Sequence, residues 1–250
     1  MKPGQKLPWV IAHRGHSAGY PENTLPAFRA ALAADCDGIE TDVQLTADGE
    51  PVLFHDWVLN KAGRRGRRVE SMELADLRKL DAGSWFDRRH RRVRVATLDE
   101  ALKRHGKACL WMFEVKSHPK RRVDGRYARL GAIVARRLKA ARLLRHGVLL
   151  SFDPEVLEAG REAVPQVRTV LNVKKMRRVG ARERKLLEPL DGVSFDIRTV
   201  TPALVRDVQE MGKPVYTWTC NSRRRVQKAL DARVDAIMSD DPKWLASLLR

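Results

Sequence analysis

No stretch of the 250-residue sequence is apolar for long enough to cross a bilayer as a helix. Apolar runs such as Val148–Leu150 and Ala132–Ala135 fall far short of the roughly 18 residues that a span requires. A soluble protein is expected. Cysteine is scarce: Cys36, Cys109 and Cys220 are an odd number with no C-x-x-C spacing, which argues against a disulfide framework and a thiolate metal site. The three are read as free thiols in a reducing compartment. The opening residues, Met1-Lys-Pro-Gly-Gln-Lys-Leu-Pro, carry no apolar core of signal-peptide length, so a cytoplasmic location is expected. Acidic residues are in deficit, 31 against 49 Lys and Arg for a formal charge of +18. That balance favours an anionic partner without choosing among phosphodiesters, nucleic acid and a membrane surface. A linker and an internal repeat are also missing, and residues 1–250 are read as a single domain. What the chain has is a hydrophobic fraction of 43% spread evenly along it, which excludes disorder as its main state and allows a sizeable core.

Short β-branched or apolar runs alternate with longer helical patterns throughout, the signature of repeated βα units on a parallel sheet. The strand candidates are Val10–His13, Gly38–Leu45, Leu110–Lys116, Val148–Phe152, Val167–Val173, Val193–Ile197, Val215–Trp218 and Ala236–Ser239. Helix starts between them carry physical signals. Thr97-Leu-Asp-Glu100 can form a capping box, and Asp153-Pro154 and Thr201-Pro202 each place a cap before a first-turn proline. Pro51–Phe54 follows the turn signal Ala47-Asp-Gly-Glu50, so the second strand is expected to double back in a hairpin. Residues Asp56 to Leu98 then make the longest excursion between barrel strands, with no clear period over Asn60–Arg68. Eight βα units in this length predict an α/β fold of the TIM (β/α)8 barrel type, with a small hairpin and loop insertion after strand 2.

Two strands alternate in a way that carries chemistry. In Gly38-Ile-Glu40-Thr-Asp42-Val the period of two aims Glu40 and Asp42 to the same side. Phe113-Glu114-Val115-Lys116 brings an acid and an amine together on another strand. Three carboxylates suit a hard divalent ion such as Mg²⁺ or Ca²⁺, while ion pairing to the abundant arginines is the competing reading. His13, in Ala12-His-Arg-Gly15, and His55, in Leu53-Phe-His-Asp56, stand where strands end, and an imidazole near its ordinary pKa can take or give a proton. Arg14 presents a planar fork to phosphate oxygens and Gly15 permits close backbone approach. His16, His90, His105, His118 and His146 have no comparable setting and are read as surface or structural.

His13-Arg-Gly15, Pro21-Glu-Asn-Thr24, Glu40-x-Asp42, Thr46-x-Asp-Gly49 and His55-Asp56 follow in the order and near-spacing of one family. Downstream, Leu80-Asp-Ala-Gly-Ser-Trp-Phe86, Thr97-Leu-Asp-Glu100, Glu114-x-Lys116, Trp218-Thr-Cys-Asn221 and Ser239-Asp-Asp-Pro242 extend the likeness to about residue 245. The sequence resembles the glycerophosphodiester phosphodiesterases. The resemblance implies a TIM barrel that hydrolyses glycerophosphodiesters to sn-glycerol 3-phosphate and an alcohol. It implies a divalent metal held by Glu40, Asp42 and Glu114, and His13 and His55 as general acid and base. Arg14 and Lys116 would hold phosphate oxygens, and Trp218 would pack against the glycerol side of a small-molecule substrate.

Two departures stand out. Where the family has an Arg-Thr-Thr stretch this chain has Asn60-Lys-Ala-Gly63, and the proline before Thr97 is Ala96, which touches loop conformation and leaving-group preference. Asn23-Thr24 is read as the cap of a first helix starting near Leu25, with Pro21–Thr24 shaping the site. The arginine-rich segments Arg64–Arg68, Arg88–Arg94 and Arg223–Arg225 are read as solvated surface, since no aromatic residues interleave them for base stacking. No nucleic-acid partner is expected, and peripheral membrane contact is left open. The alternatives carried are a lysophospholipase D using the same site and a catalytically dead barrel that binds anionic lipid or nucleic acid.

Overall fold

The computed structural model of the chain describes residues 7–118 and 125–250. Its strands are β1 (Trp9–His13), β2 (Gly38–Leu45), the short β3 (Pro51–Leu53), β4 (Leu110–Val115), β5 (Gly147–Ser151), β6 (Arg168–Val173), β7 (Gly192–Asp196), β8 (Val215–Trp218) and β9 (Ala236–Ser239). All but β3 are parallel neighbours, and β1 pairs both β2 and β9, closing a TIM barrel of eight strands. The eight strands lie where the hydrophobic pattern predicts, within a residue at each end; the third barrel strand stops at Val115, one short of Lys116. β3 runs antiparallel to β2, as the Ala47–Glu50 turn requires, with Gly49 at φ +86°.

The helices are α1 (Leu25–Ala33), α2 (Leu74–Leu77), α3 (Leu98–His105), α4 (Arg126–Ala140), α5 (Pro154–Ala163), α6 (Ala181–Leu187), α7 (Pro202–Gln209), α8 (Arg223–Asp231) and α9 (Pro242–Leu249). Their starts follow the capping chemistry. Thr24 accepts from Ala27 N, and Thr97 and Glu100 form the reciprocal box. Asp153 and Thr201 cap α5 and α7 ahead of first-turn prolines. Each such cap stabilises by about 1 kcal/mol.

Strand parity divides the core into two shells. Val10, Ala12, Ile39, Val43, Trp111 and Phe113 face the helices, where Trp111 meets Phe28 edge-on at 5.1 Å. Ile11, Met112, Val148, Leu150, Val170, Tyr216 and Met238 fill the lumen. The lumen-facing series turns polar toward the C-terminal strand ends, and this change places the site. Two residues beyond Ile11 is His13, beyond Met112 is Glu114, beyond Val170 is Asn172, and beyond Tyr216 is Trp218. Glu40 and Asp42 alternate with Ile39 and Val43 in the same way.

The long excursion after β3 has its own small core of Val52, Phe54, Leu59, Ala62, Val69, Leu77, Leu80, Ala82 and Val95. Single helical turns at Leu59–Ala62, Val69–Ser71 and Arg88–His90 serve it. Segments of three or four residues have no period to display, which is why Asn60–Arg68 reads as featureless in sequence. The arginines at 64, 65, 67, 88, 89, 91, 92, 94 and 223–225 are exposed, and Cys36, Cys109 and Cys220 are unpaired. No helix among the described residues is long and apolar enough to cross a membrane.

Candidate active site

Glu40, Asp42 and Glu114 each offer an oxygen, and the three lie within 4.8 Å of one another. Register brings this about: Asp42 pairs Glu114 across β2 and β4, and His13 pairs Glu40 across β1 and β2. Glu40 and Asp42 are buried at 2% and 1% exposure, where unpaired carboxylates are costly. Two deep cations answer them. Lys116 Nζ lies 3.4 Å from Asp42 and 3.3 Å from Glu114, and Arg14 Nε lies 3.2 Å from Asp42. The competing reading of these acids as ion-paired is therefore partly true, with the lysine and arginine of the site itself as the partners.

Three acids share two cations, and their acidities diverge. Burial would raise Asp42, but Lys116, Arg14, His55 and the Asn23 hydrogen bond outweigh it and hold the carboxyl well below the usual range. Glu40 goes the other way, raised by its burial and by the charges of Asp42 and Glu114. Lys116 is raised, since Asp42 and Glu114 overcome the effect of burying the amine. The three crowded carboxylates are hard oxygen donors that could hold a divalent ion, whose charge would relieve the repulsion that raises Glu40.

The loop after β1 is wound tightly to reach this cluster. Arg14 and Gly15 take left-handed backbones at φ +58° and +79°, and a Cβ on Gly15 would stand 2.8 Å from the Ala27 backbone. Arg14 N thereby donates to Glu40 Oε2 at 3.1 Å while its Nη1 donates to Glu22 Oε2 at 3.0 Å. Thr24 caps α1, whereas Asn23, at φ +57°, serves the site. Its Nδ2 donates to Asp42 Oδ2 at 2.9 Å, and its Oδ1 accepts from Thr41 Oγ1 and Asp42 N.

Each site histidine is backed by a carboxylate. His13 Nδ1 lies 2.6 Å from Asp240 Oδ1, and its Nε2 is 3.9 Å from Glu40. His55 Nδ1 lies 2.8 Å from Asp56 Oδ1. An ionised carboxylate only accepts, so both Nδ1 atoms are assigned the proton and both Nε2 atoms are left to exchange one. Burial would raise Asp240, but the His13 hydrogen bond lowers it overall; the His55 hydrogen bond and Lys61 bring Asp56 down to about 2. Gln44 Nε2 donates to both Phe54 O and Asp56 O, at 2.7 and 2.9 Å, fixing the backbone on either side of His55. Trp218 stands at the rim, edge-on to Phe152 at 5.7 Å, its Nε1 buried with no hydrogen-bond partner among the described residues.

Of the eight residues singled out from sequence, His13, Glu114 and Trp218 stand at or next to the ends of β1, β4 and β8, Arg14, Lys116 and His55 lie just beyond β1, β4 and β3, and Glu40 and Asp42 sit midway along β2, whose second half runs on into the hairpin. Several that act on them are not evident from sequence: Asp240, Gln44, Asn172, which donates to Glu114 Oε2 at 2.9 Å, and Lys61, which binds Glu22 and Asp56. Asp240 carried a signal, because in a closed barrel the residue after the last strand must lie beside the end of the first.

Three oxygen donors that could hold a cation, two carboxylate-backed histidines and an arginine fork at one end of a TIM barrel fit, among the classes the charge allows, a phosphodiester hydrolase. The chain belongs to the glycerophosphoryl diester phosphodiesterase family, whose model matches residues 13–244. It is 30% identical over 250 residues to a glycerophosphodiester phosphodiesterase of Caldanaerobacter subterraneus, covering 96% of this chain and 97% of that one. It is 28% identical over 246 residues to a glycerophosphodiester phosphodiesterase of Bacillus subtilis, covering 93% and 83%. Among solved structures, an Oleispira antarctica phosphodiesterase in complex with the product sn-glycerol-3-phosphate superposes with a TM-score of 0.81 at 27% identity, covering 96% of both chains.

Proposed function

We propose that this protein hydrolyses glycerophosphodiesters to sn-glycerol 3-phosphate and an alcohol in the cytoplasm, with a divalent ion held by Glu40, Asp42 and Glu114. One observation carries the reading: two histidines, each with Nδ1 on a carboxylate, flank the acid cluster and the two cations that neutralise most of it. When bound, the ion would neutralise phosphoryl oxygens and polarise phosphorus. Arg14 and Lys116 hold the remaining phosphate oxygens. Trp218, packed edge-on to Phe152, covers the glycerol side.

The proton traffic belongs to the histidines. One Nε2 takes the proton of the glycerol hydroxyl adjacent to the diester as that oxygen bonds to phosphorus. The P–O bond to the alcohol breaks, and the other Nε2 supplies the proton the alcohol needs. Since the nucleophile is part of the substrate, the entropy of bringing it to phosphorus is already spent. Water then opens the cyclic phosphate with the histidine roles reversed, and both return to their starting state. Asp240 and Asp56 stabilise whichever imidazole is charged.

The test is a panel of glycerophosphocholine, glycerophosphoethanolamine, glycerophosphoglycerol, glycerophosphoinositol and a lysophosphatidylcholine, each with Mg²⁺, Mn²⁺, Ca²⁺ or chelator. Release of sn-glycerol 3-phosphate from at least one diester, lost on chelation, is the expected result. Turnover of the lysolipid alone would reassign the activity to lysophospholipase D. No turnover of any member by folded, ion-loaded protein would leave the dead barrel as the better account.

A further inference from the structure

Five side chains form an unbroken path across the site. Arg14 Nη1 donates to Glu22 Oε2 at 3.0 Å, and Glu22 Oε1 accepts from Lys61 Nζ at 2.7 Å. The same ammonium stands 3.2 Å from Asp56 Oδ2, whose other oxygen meets His55 Nδ1 at 2.8 Å. Glu22, Asp56 and His55 present three ligand atoms within 4.8 Å of one another, a grouping that needs a positive charge. Lys61 provides it, with the Trp85 ring centroid 4.6 Å from the ammonium. The single turn Leu59–Ala62 that carries the lysine is anchored by buried Leu59 and Ala62, so its position is set by packing.

We infer that Lys61 is a positioning residue for the second histidine. It holds the Asp56 carboxylate in the orientation that engages His55 Nδ1, leaves His55 Nε2 toward the site, and ties that orientation through Glu22 to Arg14. The inference rests on the reading of His55 as a proton carrier. Without the ammonium, Glu22 and Asp56 are neighbouring carboxylates that repel, and among the described residues the Asp56 side chain keeps its bond to His55. Arg14 is less dependent, because Asp42 holds its Nε and Glu40 accepts from its backbone N. Loss of Lys61 therefore falls on the proton-transfer step more than on phosphate binding, and kcat should suffer more than KM.

The test compares wild type, Lys61→Met, Lys61→Arg and His55→Asn, all saturated with divalent ion, by kcat, KM and the NMR shifts of the His55 ring nitrogens. Lys61→Met keeps the stem over Trp85 and removes the charge. A displaced catalytic group loses on the order of ten- to a hundredfold, so Lys61→Met should lose about that in kcat with KM little changed. Its His55 Nδ1 proton should exchange faster, and Lys61→Arg should restore most of the rate. Wild-type kcat in folded Lys61→Met, beside an inactive His55→Asn, overturns the inference and leaves the role of His55 standing. An active His55→Asn overturns that role instead. Lys61→Arg as impaired as Lys61→Met contradicts positioning by charge. Should Lys61→Met not fold, Lys61→Gln is read by the same outcomes.

Discussion

Removing the divalent ion should lower thermal stability, and the amount can be bounded from the site. Three acid side chains meet two cations in the cluster, one of them, Arg14, shared with Glu22, so negative charge is in excess there, and that excess, with burial, raises Glu40. An ion that binds only the folded chain stabilises it by about 2.7 kcal/mol at a hundredfold excess over its Kd. For a chain of this size each kcal/mol is worth about 2–4 °C in Tm, so saturating Mg²⁺ or Ca²⁺ should raise Tm by roughly 5–11 °C over chelator. Calorimetry on metal-free and loaded protein reads this without reference to activity. Glu114→Gln separates the ion from the fold. It keeps an oxygen for Asn172 and relieves the charge that raises Glu40, so the metal-free variant should melt close to metal-free wild type while its rise with ion shrinks or vanishes. No rise in wild type with any divalent ion, or an undiminished rise in Glu114→Gln, would refute the three-carboxylate site.

Asp240→Asn removes the charge that supports His13 Nδ1; kcat should fall about tenfold or more with KM little changed, and an unaltered kcat would remove Asp240 from the account. Asp56, facing His55 and Lys61 with Glu22 beyond, is held at about 2 against an ordinary 3.8. A depressed carboxyl contributes stability above its unfolded pKa and loses it as pH falls through the folded one. Stability should therefore decline between about pH 4 and 2, by on the order of 1 kcal/mol for a half-exposed group, and this part of the decline should be absent in Asp56→Asn; identical acid limbs would contradict the pairing. His13→Ala and His55→Ala should each lose roughly 10²-fold on a natural glycerophosphodiester, while on a glycerophosphoryl nitrophenyl ester one of the two should recover, identifying the general acid. Near-normal rates for both on the natural substrate would end the paired-histidine mechanism.

What the sequence discloses and what it hides follow from the range of the interactions. Period-two alternation needs only neighbouring residues, so the shared side of Glu40 and Asp42 and the coupling of Glu114 to Lys116 are legible, as are the strands that carry them. The caps at Thr97, Asp153 and Thr201 are equally local. Asp240 lies 227 residues from His13, and their contact exists because β9 closes against β1. Lys61 belongs to a single turn with no period, held by the excursion's own small core, and nothing local says that its ammonium reaches Glu22 and Asp56. Gln44 has the parity of Asp42, yet its task of bracing the backbone around His55 is created by the hairpin. The arginines of the three basic segments are exposed as their composition suggests, except Arg68, which is half-buried against Glu70.

The proposed activity requires cleavage of the phosphodiester bond on the side of the leaving alcohol. Phosphorus NMR of glycerophosphocholine incubated with ion-loaded protein tests it most directly, with chelated protein and folded His13→Ala alongside. The diester signal should give way to that of sn-glycerol 3-phosphate, with free choline in equal amount, and neither control should convert it. Release of phosphocholine in place of sn-glycerol 3-phosphate, or conversion that proceeds unchanged in chelator or in His13→Ala, would contradict it.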